Sequence, residues 1–322
     1  MCESLFCAST AACFYDKEVN MRITRQAPAK VNLFLRMAGR REDGYHLLYS
    51  CMQTLSIYDE LDLEVEPKKG GETSEVKFFS ECDYLPDDPV KNTAVAAAMR
   101  FLERLAPEKY TVSVRLKKVI PSQAGLGGGS SDAAAVLLAL DELFERRVSR
   151  SELHRIALSV GADVPFFLQG GTTLCEGVGE ILTPMPSLSG IPMLLLKPEN
   201  GVSTPYCYSV FDKLGTPLVT DTEKDRLKKD LQSSLEPLAR VRAASPLWSN
   251  DLQNPAIGAV PEISEGLALL KEGGAVFSAM SGSGSAVFGL FDSGERIDEI
   301  IDSPRFLTLM DQGWWAGKAK TL

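Results

Sequence analysis

The chain has 322 residues, 44% hydrophobic and 24% charged, an ordinary globular balance with room for about two domains. A formal net charge of −9 argues against nucleic acid or an anionic membrane as the main partner. Seven scattered cysteines without a C-x-x-C pair, and only two histidines, exclude a disulfide framework, a structural zinc site and a histidine-rich metal centre.

Residues 1–20 hold three cysteines, three acids and one base. A signal peptide needs a positive n-region, and a transit peptide is arginine-rich and acid-poor, so neither pattern fits. The segment is expected to be a disordered extension, with the folded chain starting near Met21. No apolar run reaches membrane-spanning length. Scattered free cysteines then point to a reducing cytoplasm. Residues 23–37 alternate in part, through Val31, Leu33, Leu35 and Met37, and read as a strand. Residues 40–44 form a charged turn. Residues 47–55 and 59–65 read as two short strands, and 67–71 as a loop. Residues 92–105 make an alanine-rich helix with Asn92 as its N-cap. Residues 110–116 alternate strictly and form a strand.

A glycine-rich loop follows, from Pro121 to Ser131, and runs directly into a helix over 132–144. Val136, Leu140 and Phe144 place an apolar stripe along that helix. Ser149 and Glu152 predict a capping box for the next helix, which ends near Gly161. His154 lies on it and reads as a packed or solvated side chain. Residues 184–190 look like a linker, so a domain boundary is placed near residue 186. This divides the chain into 21–186 and 187–322. The second part predicts a strand at 192–196, helices within 222–243 and 262–272, a strand at 285–291 and a closing strand at 314–322. Strands and helices that mix without strict alternation give an α+β class.

The glycine loop carries the chemistry. Glycine turns backbone N–H groups toward a ligand without a Cβ in the way, and a helix N-terminus adds unpaired N–H groups and partial positive charge. Together they make a phosphate site. The loop is not a Walker A motif, because Ser130-Ser131 follow its last glycine where a lysine would stand. The G-x-G-x-x-G fingerprint and the protein-kinase signatures are also absent. A plain glycine-serine turn capping a helix is the alternative reading. Two other segments share the phosphate theme: residues 27–33, with Lys30 and Asn32, and the small-residue turn 281–285. No G-x-S-x-G occurs, so those serines are not a nucleophile elbow. A lysine, an amide and a phosphate loop suit phosphoryl transfer, which needs positioning and charge neutralisation more than covalent chemistry.

At these three segments the chain resembles the GHMP kinases, the family of galactokinase, homoserine kinase, mevalonate kinase and phosphomevalonate kinase. Further matching stretches are Asp43-Gly44-Tyr45-His46, Gly161-Ala162-Asp163-Val164-Pro165-Phe166, Glu176 to Glu180 and Asn250-Asp251-Leu252. The resemblance covers about residues 26–291. Within the family the pattern resembles the branch that takes a cytidyl diphosphate ester of methylerythritol. The resemblance implies a two-domain fold, N-terminal like ribosomal protein S5 domain 2 and C-terminal ferredoxin-like. The first domain would bind ATP and the second complete the substrate site.

It also implies roles. Asp163 would be the catalytic base and Lys30 its charge partner. Asn92, Pro121, Gly125, Leu126, Gly127, Gly128, Gly129, Ser130 and Ser131 would hold ATP, with Mg²⁺ on the phosphates. Asn32, Tyr45, His46 and the pair Tyr206 and Tyr208 would bind substrate, the rings stacking on a base. Residues 281–285 would support the site from the second domain. No metal ligand is assigned, and Asp132 reads as a residue complementing the helix dipole. The expected enzyme is a cytoplasmic small-molecule kinase, monomeric or homodimeric.

Each residue also has a plainer reading. Asp163 could turn the chain before Pro165, Lys30 could lie on a strand edge, and Asn92 could only cap its helix. Tyr45 and His46 could be a hairpin corner. Two rival functions stand beside the first: a mevalonate-type GHMP kinase, and a non-catalytic nucleotide-binding protein on the same fold. Tyr45-His46 opposes the former, and retention of Lys30 with Asp163 opposes the latter. Two positions depart from the family pattern. Gln123 stands where a small residue is usual, and Thr93 replaces a bulky apolar residue.

Overall fold

In the computed structural model, which describes residues 20–82 and 91–322 together with Phe14–Tyr15, the chain lays its strands into two sheets. Strand β1 (Phe14–Tyr15) pairs antiparallel with β2 (Met21–Arg40), and β2 forms a long hairpin with β3 (His46–Pro67). The rest of the predicted extension lies outside the described residues. Strand β4 (Glu75–Ser80) runs parallel to β5 (Tyr110–Lys117), which joins β3 antiparallel. Strand β6 (Thr172–Gly177) pairs with the first part of β3, and β7 (Ile181–Pro184) with β6. Helices α1 (Thr93–Leu102), α2 (Gly128–Leu143), α3 (Arg150–Val160) and α4 (Val164–Phe167) supply the other half of this core. Ala97, Leu137, Ile156 and Phe166 meet Leu61, Leu63 and Val114 of the sheet there.

The two strands predicted at 47–55 and 59–65 are one strand. Ser56, Ile57 and Tyr58 between them do not interrupt it, because β2 continues alongside with register shifts at Pro28/Lys30 and Asn32/Phe34. Helix α2 starts at Gly128, inside the glycine run, rather than at residue 132. Ser149 accepts from the Glu152 N–H at 3.2 Å, but the Glu152 carboxylate pairs with Arg104 and Arg155 instead of closing a capping box.

Past β7 the chain enters the second sheet with β8 (Pro192–Lys197). Helices α5 (Thr204–Leu214), α6 (Asp221–Leu231), α7 (Pro237–Ala244), α8 (Gln253–Ala259) and α9 (Glu262–Glu272) follow. Then come β9 (Phe277–Met280), β10 (Val287–Leu290), α10 (Gly294–Ile301), α11 (Pro304–Asp311) and β11 (Trp315–Lys320). The strands lie in the order β11-β8-β10-β9, all antiparallel, which is the ferredoxin-like βαββαβ arrangement. The predicted helical region 222–243 is two helices. Helices α5, α8, α10 and α11 were not anticipated, since two or three turns leave little periodic signal.

The halves share a core. Ala29, Val31 and Leu33 on β2 pack with Met193, Leu195 and Phe288 of the second sheet. Leu35 adds backbone bonds across the junction, donating to Ser249 and accepting from Asp251, both at 2.9 Å. Side chains alternate along a strand. With 29, 31 and 33 committed to this core, Lys30 and Asn32 face the glycine loop.

Candidate active site

Lys30 is 3% exposed, so its ammonium needs partners. Its Nζ donates to Asn32 Oδ1 at 2.6 Å and lies 3.4 Å from Asp163 Oδ2. Its backbone N–H donates to the Leu126 carbonyl at 2.9 Å, fixing the glycine loop against β2. Asn32 Nδ2 donates to Ser50 Oγ at 2.9 Å, and the Ser50 hydroxyl donates to the Phe34 carbonyl at 2.7 Å. The Asn32 N–H reaches Ser281 Oγ at 3.2 Å, and that hydroxyl donates to the Gly125 carbonyl at 2.8 Å. Ser281 thus ties strand, loop and second domain together. Asp163 precedes α4, but its side chain makes no capping bond. Asp163 does lie in the turn before Pro165, and its carboxylate faces Lys30 and is about one third exposed.

The glycine loop brings backbone into contact with backbone. At Gly125, φ is +72° and a Cβ would lie 2.0 Å from the Ser281 carbonyl oxygen. At Gly127, φ is +73° and a Cβ would lie 2.7 Å from the Phe167 ring. Gly127 is the N-cap of α2, so Gly128, Gly129 and Ser130 open the helix with N–H groups that lack intrahelical partners. The Ser131 N–H already bonds the Gly127 carbonyl at 2.9 Å, which ends the run of N–H groups without intrahelical partners at Ser130. The Ser131 hydroxyl is buried without a partner among the described residues.

Two clefts meet at this loop. One, of about 730 Å³, is lined by Lys30, Asn32, Asp163 and, from the second domain, Gly201 to Pro205, Tyr208 and Gly282 to Gly284. The other, of about 410 Å³, is lined by Asn92, Thr93, Lys118 and the loop from Pro121 to Gly129. Gln123, Gly125 and Gly127 line both. The loop is a shared wall, and a phosphate lying across it can be reached from either side.

Residues 92–171 match the N-terminal domain of GHMP kinases, and residues 227–305 match the GHMP kinase C-terminal domain. The chain is 38% identical over 294 residues to 4-diphosphocytidyl-2-C-methyl-D-erythritol kinase of Clostridium botulinum, covering 87% of this chain and 95% of that relative. The chain belongs to the GHMP kinase family. A Desulfitobacterium hafniense protein of the same name as the clostridial relative is 40% identical over 277 residues, covering 85% of this chain and 89% of that one. A crystal structure of 4-(cytidine 5'-diphospho)-2C-methyl-D-erythritol kinase superposes with a TM-score of 0.69 at 35% identity, covering 92% and 99% of the two chains. As a GHMP kinase the chain is an ATP-dependent phosphotransferase acting on a hydroxyl group of a small molecule.

In this GHMP kinase Asn92 has two duties. It lines the second cleft, and its Oδ1 caps α1 by accepting from Ala94 N at 3.0 Å. Thr93 donates to the Gly129 carbonyl at 2.7 Å, so that departure fastens α1 to the loop. Of the two tyrosines, Tyr208 lines the first cleft, while Tyr206 is 43% exposed on another side of α5. Successive helical residues turn by about 100°, which separates the pair. The His46 ring stacks on Tyr208 at 4.7 Å, and its Nε2 lies 2.7 Å from Asp212 Oδ1. Burial pushes the Tyr208 phenol up to about 12, with Asp163 acting in the same direction, so it stays a neutral donor. Tyr45 is 66% exposed beside the β2–β3 turn and is not among the cleft-lining residues.

Asp132 differs from its sequence reading. It is buried, and its Oδ2 accepts from Lys118 Nζ at 2.7 Å. Lys118 also bonds Asp59, whose Oδ1 accepts from the Ile120 N–H at 2.9 Å. Asp59 thus anchors the chain where it enters the loop. Burial pushes Asp132 up to about 7, with Asp59 in the same direction and Lys118 opposing. Sequence reasoning missed Lys118, Asp59 and Asp212. The available signal was an acid or a lysine placed at the end of an apolar strand or inside an apolar helix.

Proposed function

We propose that this GHMP kinase transfers the γ-phosphate of ATP to the 2-hydroxyl of 4-diphosphocytidyl-2-C-methyl-D-erythritol, a step toward isoprenoid precursors by the non-mevalonate route, in the cytoplasm. One arrangement carries the reading: the Lys30–Asp163 pair in a cleft separated only by the glycine loop from a second cleft at a helix N-terminus. In it the ATP phosphates lie along the N–H groups of Gly128, Gly129 and Ser130. The acceptor hydroxyl approaches Asp163, which takes its proton as the oxygen attacks the γ-phosphorus. The bond from that phosphorus to the bridging oxygen breaks, and ADP leaves. Lys30 offsets the negative charge gathered at the transferring group.

Magnesium ion neutralises β- and γ-oxygens when bound. It travels largely on the nucleotide's own phosphates. Tyr208, backed by the stacked His46 ring, supplies an aromatic surface for the cytosine ring in the cleft, and its phenol can bond the polar edge of the base.

The test follows ADP release with Mg-ATP and either the cytidyl compound or mevalonate. Turnover is expected with the first and not with the second. An enzyme inactive on the cytidyl compound refutes the reading.

A further inference from the structure

Gln123 holds φ at +49°, in the left-handed region that glycine adopts freely and an L side chain does not. Its carbonyl accepts from the Ser285 N–H at 3.2 Å, tying the front of the loop to the second domain. Its side chain lines both clefts but leans one way. A Cβ at Gly201 would come 2.4 Å from Gln123 Oε1 and 2.8 Å from Gln123 Cβ. Gly201 to Pro205 line the first cleft and no part of the second. The carboxamide therefore sits on the acceptor side of the wall, exposed to the cleft, and no described residue hydrogen-bonds it.

Charge in that cleft narrows what the carboxamide can serve. Lys30 is the one cation among the described residues lining it, and Lys30 is committed to Asn32 and Asp163. An acceptor carrying a diphosphate adds negative charge beside the incoming phosphate and Asp163. Its oxygens must be held there by neutral donors, and a primary amide offers two N–H groups.

We propose that Gln123 is a specificity-determining residue whose side-chain amide donates a hydrogen bond to a diphosphate oxygen of the acceptor, and that position 201 is glycine to leave the amide room. The assignment rests on the function proposed above.

Gln123→Gly removes the amide and suits the backbone, so its melting temperature should equal or exceed that of the unaltered enzyme. Its KM for the cytidyl acceptor should rise about tenfold, while the KM for ATP moves less than about twofold. Gln123→Glu sets a carboxylate against the diphosphate and should raise the acceptor KM further. Gly201→Ala displaces the side chain and should reproduce the acceptor defect, and the double variant Q123G/G201A should be no worse than Q123G. A rise confined to ATP, no rise in either KM, or equal behaviour of the Glu and Gly variants overturns the assignment. Failure of the unaltered enzyme to turn over the cytidyl compound removes the functional reading itself, and this residue's role with it.

Discussion

Lys30 and Asp163 lie far apart in the chain and meet through different local devices. Lys30 is aimed by strand alternation, since its neighbours Ala29 and Val31 are needed in the core between the sheets. Asp163 is aimed by the short α4, whose first residue follows it and whose cap it does not supply. The first device is visible in the sequence. The second is not, because the sequence alone does not show that the Asp163 carboxylate faces an ammonium. Asp163→Asn keeps the shape and removes the proton acceptor. Turnover should fall by at least ~10²-fold, while ATP affinity measured by calorimetric titration changes little. Near-normal turnover would make Asp163 structural only. Tyr206 and Tyr208 show the opposite limit. The choice between them depends on the phase of α5, a helix whose three turns gave no warning of themselves.

Among the elements, the glycine loop was readable as a phosphate site but not as a joint. Its composition announces close approach without saying what approaches. The structure supplies the partner, since Gly125 touches the backbone of Ser281 and the Ser281 hydroxyl links Gly125 to Asn32. Gly125→Ala should therefore cost more than its positive φ alone. Gly171 is a fair comparison, with φ at +70° and nothing within 4 Å of an added Cβ. An alanine there meets only the left-handed penalty of about 1–2 kcal/mol. At Gly125 the clash adds a further ~1–3 kcal/mol and pulls the loop off Ser281. Thermal melting should place Gly125→Ala well below Gly171→Ala, and only the former should raise the KM for ATP. Equal melting temperatures would mean that contact with Ser281 does not dictate the glycine. The same joint explains why α2 begins at Gly128 and not at residue 132. At Gly128, the first residue of α2, a side chain would press on Ile120 and Lys118.

For the whole molecule, the order of motifs gave the two-domain fold, but the tie between distant segments lay in charges that look incidental in the sequence. Asp59, Lys118 and Asp132 form one buried group beside the cleft at the start of α2, with two carboxylates on a single ammonium. Burial alone would lower Lys118, but the charges of Asp132 and Asp59 outweigh it and raise its pKa, so the ammonium persists. One positive charge does not compensate two buried negative ones, and Asp132 rises from its ordinary 3.8 to about 7. Between those values the folded chain keeps a proton that the unfolded chain has released. Stability is then lost as pH climbs through that window, by at most ~1.4 kcal/mol per pH unit. Above it the penalty is expressed in full. Asp132→Asn removes this titration and leaves Lys118 paired with Asp59 alone. Titratable groups that do not interact with Asp132 are common to the two proteins and cancel in the difference. The melting temperature of the Asn variant relative to the unaltered enzyme should therefore climb from pH 5 to about pH 7 and level off above it. A difference that stays constant across that range would mean Asp132 is already ionised in the fold at pH 5, with Lys118 sufficient for both carboxylates.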